Sequence, residues 1–171
     1  MYPSKIQSSE FNPYFKMYLD QLENVPLIEA LANGASETNQ LFRSLPEHKH
    51  EYRYEENKWT PKEILLHIID AERAFSYRAL FIARTDNANL EGFDENTFAE
   101  NSNANERGMS DLLKEYNSVR AATINLFESF SDDTLKRVGK ANGNTFSVRV
   151  AGFLTCGHEI HHRKVIKERY L

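Results

Sequence analysis

The chain has 171 residues and one cysteine, with 21 basic against 25 acidic residues for a formal charge of −4. That length fills one core, burying roughly 70% of the surface the unfolded chain exposes, and one domain over residues 1–171 is expected. The charge is too small and of the wrong sign for a phosphate-binding footprint, no stretch approaches the ~18 apolar residues of a membrane span, and the first residues lack the apolar core of a signal peptide. The expectation is a soluble, cytoplasmic protein without nucleic-acid or membrane partners; the lone Cys156 excludes an intrachain disulfide and reads as a small buried hydrophobe.

Helical periodicity dominates from end to end, and no segment shows the sustained alternation of a half-buried strand. A short amphipathic lead-in over 14–22 precedes a first long helix over 22–45, with Leu27, Ile28, Leu31, Leu41 and Leu45 on one side and a stop at Pro46. The second opens at Thr60-Pro61-Lys62-Glu63: threonine caps, proline suits the first turn, and glutamate three residues on completes a capping box. It runs through Ile64, Leu65, His67, Ile68, Ala71 and Phe75 to about Ala83, and Trp59 just ahead of it reads as a hydrophobic staple or core cap. A third begins at Ser110 and fades near Asp132, with Leu112, Leu113, Tyr116, Val119, Ile124 and Phe127 on its core face. The last starts near Ser147 and ends among Arg163, Lys164, Lys167 and Arg169, cations that suit the negative end of a helix dipole.

Between the second and third helices, residues 85–108 are polar and asparagine-rich yet carry Leu90, Phe93 and Phe98. A connection of that length in a compact domain is usually functional or disordered, and its aromatics argue for a segment that packs down, with a lid over the bundle mouth as one form. Residues 139–145, with Asn142-Gly143, read as a tight turn. Four long helices with one long connection give an all-α four-helix bundle, a fold that builds metal sites from side chains on facing helices.

The histidines give this fold a candidate chemistry. His158 and His162 stand four residues apart and so share one face of the last helix, while His67 lies within the apolar run of the second. A buried neutral imidazole needs a partner for its bare nitrogen, and a divalent ion supplies one. His161 is turned by about 100° from the His158–His162 line and belongs at the rim. The segment also matches H-E-x-x-H, but too few residues follow His162 for a gluzincin glutamate, and Val165 and Glu168 stand where a metzincin needs glycine and histidine. Three neutral imidazoles suit one divalent transition ion per chain, zinc or nickel foremost, with a position left open for water or a substrate thiolate. Glu63, Asp70 and Glu159 are the carboxylates placed by sequence to orient an imidazole, and Glu159 is the candidate catalytic base.

Taken together, Trp59-Thr60-Pro61 leading into His67, Asp70, Arg73 and Arg78, then Gly92-Phe93-Asp94-Glu95, Ser147-Val148-Arg149 and Gly157-His158-Glu159-Ile160-His161-His162, the chain resembles the DinB-like superfamily, in particular its YfiT-like branch of metal-dependent hydrolases. The resemblance implies an up-down-down-up order of helices, a divalent metal held by His67, His158 and His162, and a homodimer. Thiol-dependent S-transferases and isomerases of the same superfamily imply a possible low-molecular-weight thiol cosubstrate such as bacillithiol, mycothiol or glutathione. The expected function is therefore activation of a thiol or of water against a small electrophilic substrate, with a non-enzymatic metal-binding or stress-response bundle as the alternative.

Overall fold

The computed structural model describes residues 1–92 and 94–171. Phe93, one of the aromatics expected to pack the long connection down, lies outside them. In chain order the described residues form α1 (Lys16–Leu19), α2 (Leu27–Ser44), α3 (Pro61–Arg84), β1 (Asn89–Leu90), α4 (Glu95–Glu100), α5 (Met109–Glu128), α6 (Asp132–Leu135), β2 (Val138–Ala141), β3 (Asn144–Ser147) and α7 (Val148–Arg169). No helix among them is long and apolar enough to cross a membrane.

The helix starts follow local chemistry. Thr60 Oγ1 accepts from the Glu63 N–H at 3.2 Å while Glu63 Oε2 accepts from the Thr60 N–H at 2.7 Å, so the capping box opens α3 as its sequence predicts. Ser147 caps α7 by accepting from the Val150 N–H. The first long helix begins at Leu27 rather than Leu22, because Pro26, whose fixed φ suits a helix entry and whose missing N–H costs nothing there, stands at its N-cap.

Long-range bonds give the helix directions. Leu27 and Thr38 of α2 meet Gly152 and Glu159 of α7 in increasing order, a parallel pair. Trp59, just before α3, meets Tyr170 at the end of α7, and Ile82 at the end of α3 meets Gly139 shortly before α7, an antiparallel pair. Glu72 and Ser76 of α3 reach Arg120 and Thr123 of α5, again parallel, so the four long helices run up, down, down, up. The order follows from the long connection between α3 and α5, which carries the chain back along the bundle before the third helix starts.

Two apolar clusters fill the bundle. One gathers Leu27, Leu31, Phe75, Ile82, Phe127, Phe146 and Phe153. The other gathers Leu41, Phe42, Leu65, Ile69, Leu112, Tyr116, Ile166 and Tyr170. Linking all four helices is a buried polar network around Arg120, which is 2% exposed. Arg120 donates from Nε and Nη2 to both oxygens of Glu72 at 2.9 Å, and from Nη1 to the Leu31 carbonyl at 2.7 Å. Its Nη2 also lies 3.1 Å from Glu159 Oε1, which accepts from Thr38 at 2.7 Å and from the Tyr116 hydroxyl. Burial opposes the Arg120 charge, but Glu159 and Glu72 outweigh it and hold the group protonated.

A three-stranded sheet was not expected. β2 pairs antiparallel with β3 across Asn142-Gly143, whose φ values of +50° and +73° give the two-residue turn that matches strand twist, and β1 adds to β2 in parallel. The residues read as a tight turn are thus the tip and inner ends of a hairpin. Its alternation was hidden because the inward positions of β2 are the small Gly139 and Ala141, while the apolar Val138 faces solvent. The sheet ties the start of the 85–108 segment to the bundle through Lys140 N–H to Ala88 O and Asn142 N–H to Leu90 O, at 2.8 and 2.9 Å.

Candidate metal centre

Three imidazoles from two antiparallel helices converge. His158 Nε2 lies 2.9 Å from His67 Nε2 and 3.1 Å from His162 Nε2, and one ligand nitrogen from each of the three falls within 4.8 Å of the others. His158 and His162 face the same way because they are one helical turn apart, and α3 runs past them with His67 at the same height. Three ring nitrogens aimed at one point cannot all be satisfied by each other, since a neutral imidazole has one donor and one acceptor. A tetrahedral ion bonded to each nitrogen at 2.0–2.1 Å would place them about 3.3 Å apart, close to the two spacings from His158, 2.9 and 3.1 Å. The donor set therefore fits a divalent transition metal.

Aromatic rings hold the imidazoles in place. Trp59 lies 4.6 Å from His67 between ring centroids, Tyr18 5.5 Å from His158 and Phe75 6.0 Å from His158. Burial in this setting disfavours the charged rings: the His67 pKa falls from 6.5 to about 4, and those of His158 and His162 are also held well below the usual value, with the neighbouring imidazoles adding repulsion. Burial thus favours the neutral imidazole, the form that can bind a metal, at all three.

A pH dependence follows for the metal-free protein. Below pH 6.5 the unfolded chain protonates its histidine while folded His67 stays neutral to about pH 4, so the unfolded state binds more protons and stability falls as pH drops through that window. The loss for His67 alone is on the order of 3 kcal/mol once both states are protonated. Urea denaturation of chelator-treated protein at pH 7 and pH 4.5 is expected to show it. Equal midpoints would mean that His67 is not buried in neutral form.

The histidines form the floor of a cavity of about 470 Å³ whose walls include Asn12, Tyr14, Phe15, Tyr18, Trp59, Phe75, Arg78, Glu95, Asn142, Asn144 and His161. His161 sits at its rim against Tyr18. Gly92 and Glu95 of the 85–108 segment also line it. A groove of about 720 Å³, lined by Arg53, Glu63, Asn96 and Glu100, adjoins it across Trp59.

Glu159 is a correction. One residue past His158 it is turned by about 100°, and its carboxylate enters the buried network with Thr38, Tyr116 and Arg120 on the far side of α7 from the cavity. It is an anchor between helices and no proton acceptor for the cavity. Glu63 is likewise spent on the α3 cap and on Arg53 at 2.8 Å, and Asp70 faces Arg73 at 3.2 Å. Neither lines the cavity of the histidines. Cys156 is buried, its thiol pushed up to about 12 by burial.

The N-terminal wall was not foreseen. Residues 12–18 reach the site because Glu10, itself buried, accepts from Ser147 at 2.8 Å and from Arg149 at 2.7 Å, pinning the chain start to the start of α7. The only sequence hint was the aromatic density of Phe11, Tyr14, Phe15 and Tyr18. Gly157 completes the fit, because a β-carbon there would collide with the Tyr18 carbonyl oxygen. Gly157→Ala is expected to cost about 1–3 kcal/mol by forcing this backbone off α7, while leaving the three histidines in register. A lowered melting temperature with unchanged metal content is the expected pair of readings, and an unchanged melting temperature would show that the segment is loosely held.

The sequence model of the DinB superfamily matches residues 30–166. The chain belongs to the DinB superfamily. Solved structures share its fold. YfiT from Bacillus subtilis, described as a probable metal-dependent hydrolase with an unusual four-helix bundle topology, superposes with a TM-score of 0.76 at 17% identity, over 86% of this chain and 89% of that one. The mycothiol-dependent maleylpyruvate isomerase gives 0.64 at 15% identity, over 85% of this chain and 61% of that one. The DinB-like protein YjoA from Bacillus subtilis gives 0.59 at 17%, over 82% and 86%. No curated protein matches the chain significantly in sequence. At these identities the likeness to DinB-like structures is one of fold.

Proposed function

We propose that this DinB-superfamily chain is a metal-dependent enzyme in which His67, His158 and His162 hold one zinc or nickel ion and a small electrophilic substrate is attacked by an activated thiol or water. The observation that carries it is the convergence of three neutral imidazoles on the floor of an open cavity. When bound, such an ion supplies Lewis acidity and lowers the pKa of a thiol or water at its free position.

The chain's own residues do the rest. Trp59, Phe75 and Tyr18 keep the imidazoles dry and fix their planes. Burial pushes the Tyr18 phenol up, so it acts only as a hydrogen-bond donor or acceptor and keeps its proton. His161, on the cavity wall with its pKa lowered by burial and by Lys164, is a neutral imidazole able to take a proton.

The thiol version is favoured by the second hollow. The cavity and the adjoining groove meet at Trp59, giving room for two reactants side by side. The descriptions of two fold neighbours, one a probable metal-dependent hydrolase and the other mycothiol-dependent, support the two versions respectively.

The test loads the protein with zinc or nickel and supplies 1-chloro-2,4-dinitrobenzene with bacillithiol, mycothiol or glutathione, and p-nitrophenyl esters without thiol. Turnover that needs a thiol and disappears in His158→Ala supports transfer. Ester turnover in water alone supports hydrolysis. A protein that holds its ion yet turns over neither class would overturn the enzymatic reading and leave an ion that ties two helices together.

A further inference from the structure

Asparagines line the cavity away from the histidines, Asn12 from the chain start and Asn142 and Asn144 from the hairpin. On one side Tyr18 lies 5.5 Å from His158 and Tyr14 lies 6.2 Å from Tyr18, and the Tyr14 N–H donates to Asn12. On the other, Phe75 lies 6.0 Å from His158 and 6.4 Å from Phe146, which follows Asn144 by two residues. Two ring contacts of this kind put the asparagines roughly 10 Å from the histidines.

Their amides form a relay whose direction is fixed. The Tyr14 backbone N–H donates to Asn12 Oδ1 at 2.8 Å, Asn12 Nδ2 donates to Asn144 Oδ1 at 2.8 Å, and Asn144 Nδ2 donates to the Asn142 carbonyl at 2.7 Å. A backbone N–H can only donate and a backbone carbonyl can only accept, so neither carboxamide can be turned over. Each oxygen of the relay already accepts a bond, whereas a carboxamide nitrogen carries two N–H groups and here spends one. Among the described residues, no protein group takes the second N–H of Asn12 or of Asn144.

We infer that Asn12 and Asn144 recognise an uncharged carbonyl oxygen of the substrate, that of a ketone, ester or amide, through these second N–H groups. The inference rests on the reading of the cavity as a substrate site and names the group that its substrate carries.

The chemistry of the wall selects that group. A carbonyl oxygen accepts two hydrogen bonds and donates none, whereas a hydroxyl brings a proton to oxygens that are already engaged. An amide whose own oxygen accepts a bond is polarised to donate more strongly, and this holds for both asparagines. Both are half-buried and held before a ligand arrives, because the hairpin tip is bonded to Leu90 and the chain start is pinned through Glu10. Little ordering is left to oppose binding. Phe15, Tyr18 and Phe75 supply an apolar surface for the body of the molecule between the carbonyl and the histidines.

Two ligands of one shape test this, 4-phenylbutan-2-one and 2-methyl-4-phenylbut-1-ene, in which a methylene replaces the carbonyl oxygen. Each is titrated into nitrogen-15-labelled, chelator-treated protein and followed by NMR, and the folding of each variant is checked by its thermal melt. Wild type is expected to bind the ketone about fivefold or more tightly than the alkene, since a neutral hydrogen bond is worth a few-fold and two are made. The side-chain N–H signals of Asn12 and Asn144 move with the ketone alone. Asn12→Asp keeps the acceptor for Tyr14 and removes the donor, and Asn144→Ala removes the other. Each lowers the preference and the double variant abolishes it, with alkene binding unchanged. The preference survives in His158→Ala, so it is read whether or not an ion is held as proposed.

Equal binding of ketone and alkene by the wild type overturns the inference and leaves a cavity for apolar ligands. So does a preference that the double variant keeps, or a loss of both ligands in it, which would show that the relay only holds the wall together. Should the double variant fail to fold, the asparagine signals of the wild type decide, because a wall that is merely structural leaves them in place when the ketone binds. Binding of neither ligand by the wild type overturns the reading of the cavity as a substrate site along with the inference.

Discussion

Replacing His158 by alanine is expected to strip the protein of its metal. Elemental analysis of tag-free wild type should give about one zinc or nickel per chain, and His158→Ala less than a tenth of that. His158 is the sharpest choice because its Nε2 is the nitrogen close to both others, at 2.9 and 3.1 Å. Loss of groups that merely orient a ligand already costs about 10–100-fold in affinity, so loss of the ligand itself should cost more. His161→Ala, turned by about 100° out of that line at the rim, is the matched control and should keep its metal. The stabilisation that an ion confers on wild type, of about 2.7 kcal/mol when its concentration is 100 times its dissociation constant, should vanish in His158→Ala alone. Equal metal in the two variants, or none taken up by folded wild type, would remove the metal reading.

The second large effect is expected at Arg120, which does not line the cavity. Arg120→Met leaves Glu72 and Glu159, each 1% exposed, without the cation that both face. Breaking a buried ion pair by removing one partner costs roughly 3–5 kcal/mol, because a buried charge is left uncompensated. At about 2–4 °C per kcal/mol for a chain of this size, the melting temperature should fall by roughly 6–20 °C. Lys16→Met breaks an ion pair between side chains that are 64% and 59% exposed and should move stability by less than about 1 kcal/mol. If the two variants melt together, the network is not what couples the helices. Glu159 belongs to this network and neighbours His158 in sequence, so Arg120 also helps to set the rotation of α7 that aims His158 and His162 at α3.

How much of this was legible in the chain differs from element to element. The start of α3 was written out in Thr60, Pro61 and Glu63, because a capping box is a contact among residues three apart and needs nothing else from the fold. The pairing of His158 with His162 was legible for the same reason. That His67 joins them was inferred from its place in an apolar run, which says that a residue faces inward but not what it meets. The hairpin was hidden because the inward residues of β2 are the small Gly139 and Ala141, and the Asn142-Gly143 turn was read without its strands.

Glu159 marks where local reading failed. Its position beside a histidine suggested a base, yet a neighbour in sequence is turned by about 100° on a helix, and only the placement of α2 and α5 shows that this direction holds Arg120, Thr38 and Tyr116. Most walls of the cavity were equally beyond reach: Tyr18 and Phe15 arrive from the chain start, Asn142 and Asn144 from the hairpin.

The sequence by itself determined the four long helices and the helix face that His158 and His162 share, because those depend on spacings within a few turns. The tertiary structure alone decided which carboxylates are anchors and which aromatics enclose the site, because each of these is set by the meeting of segments far apart in the chain.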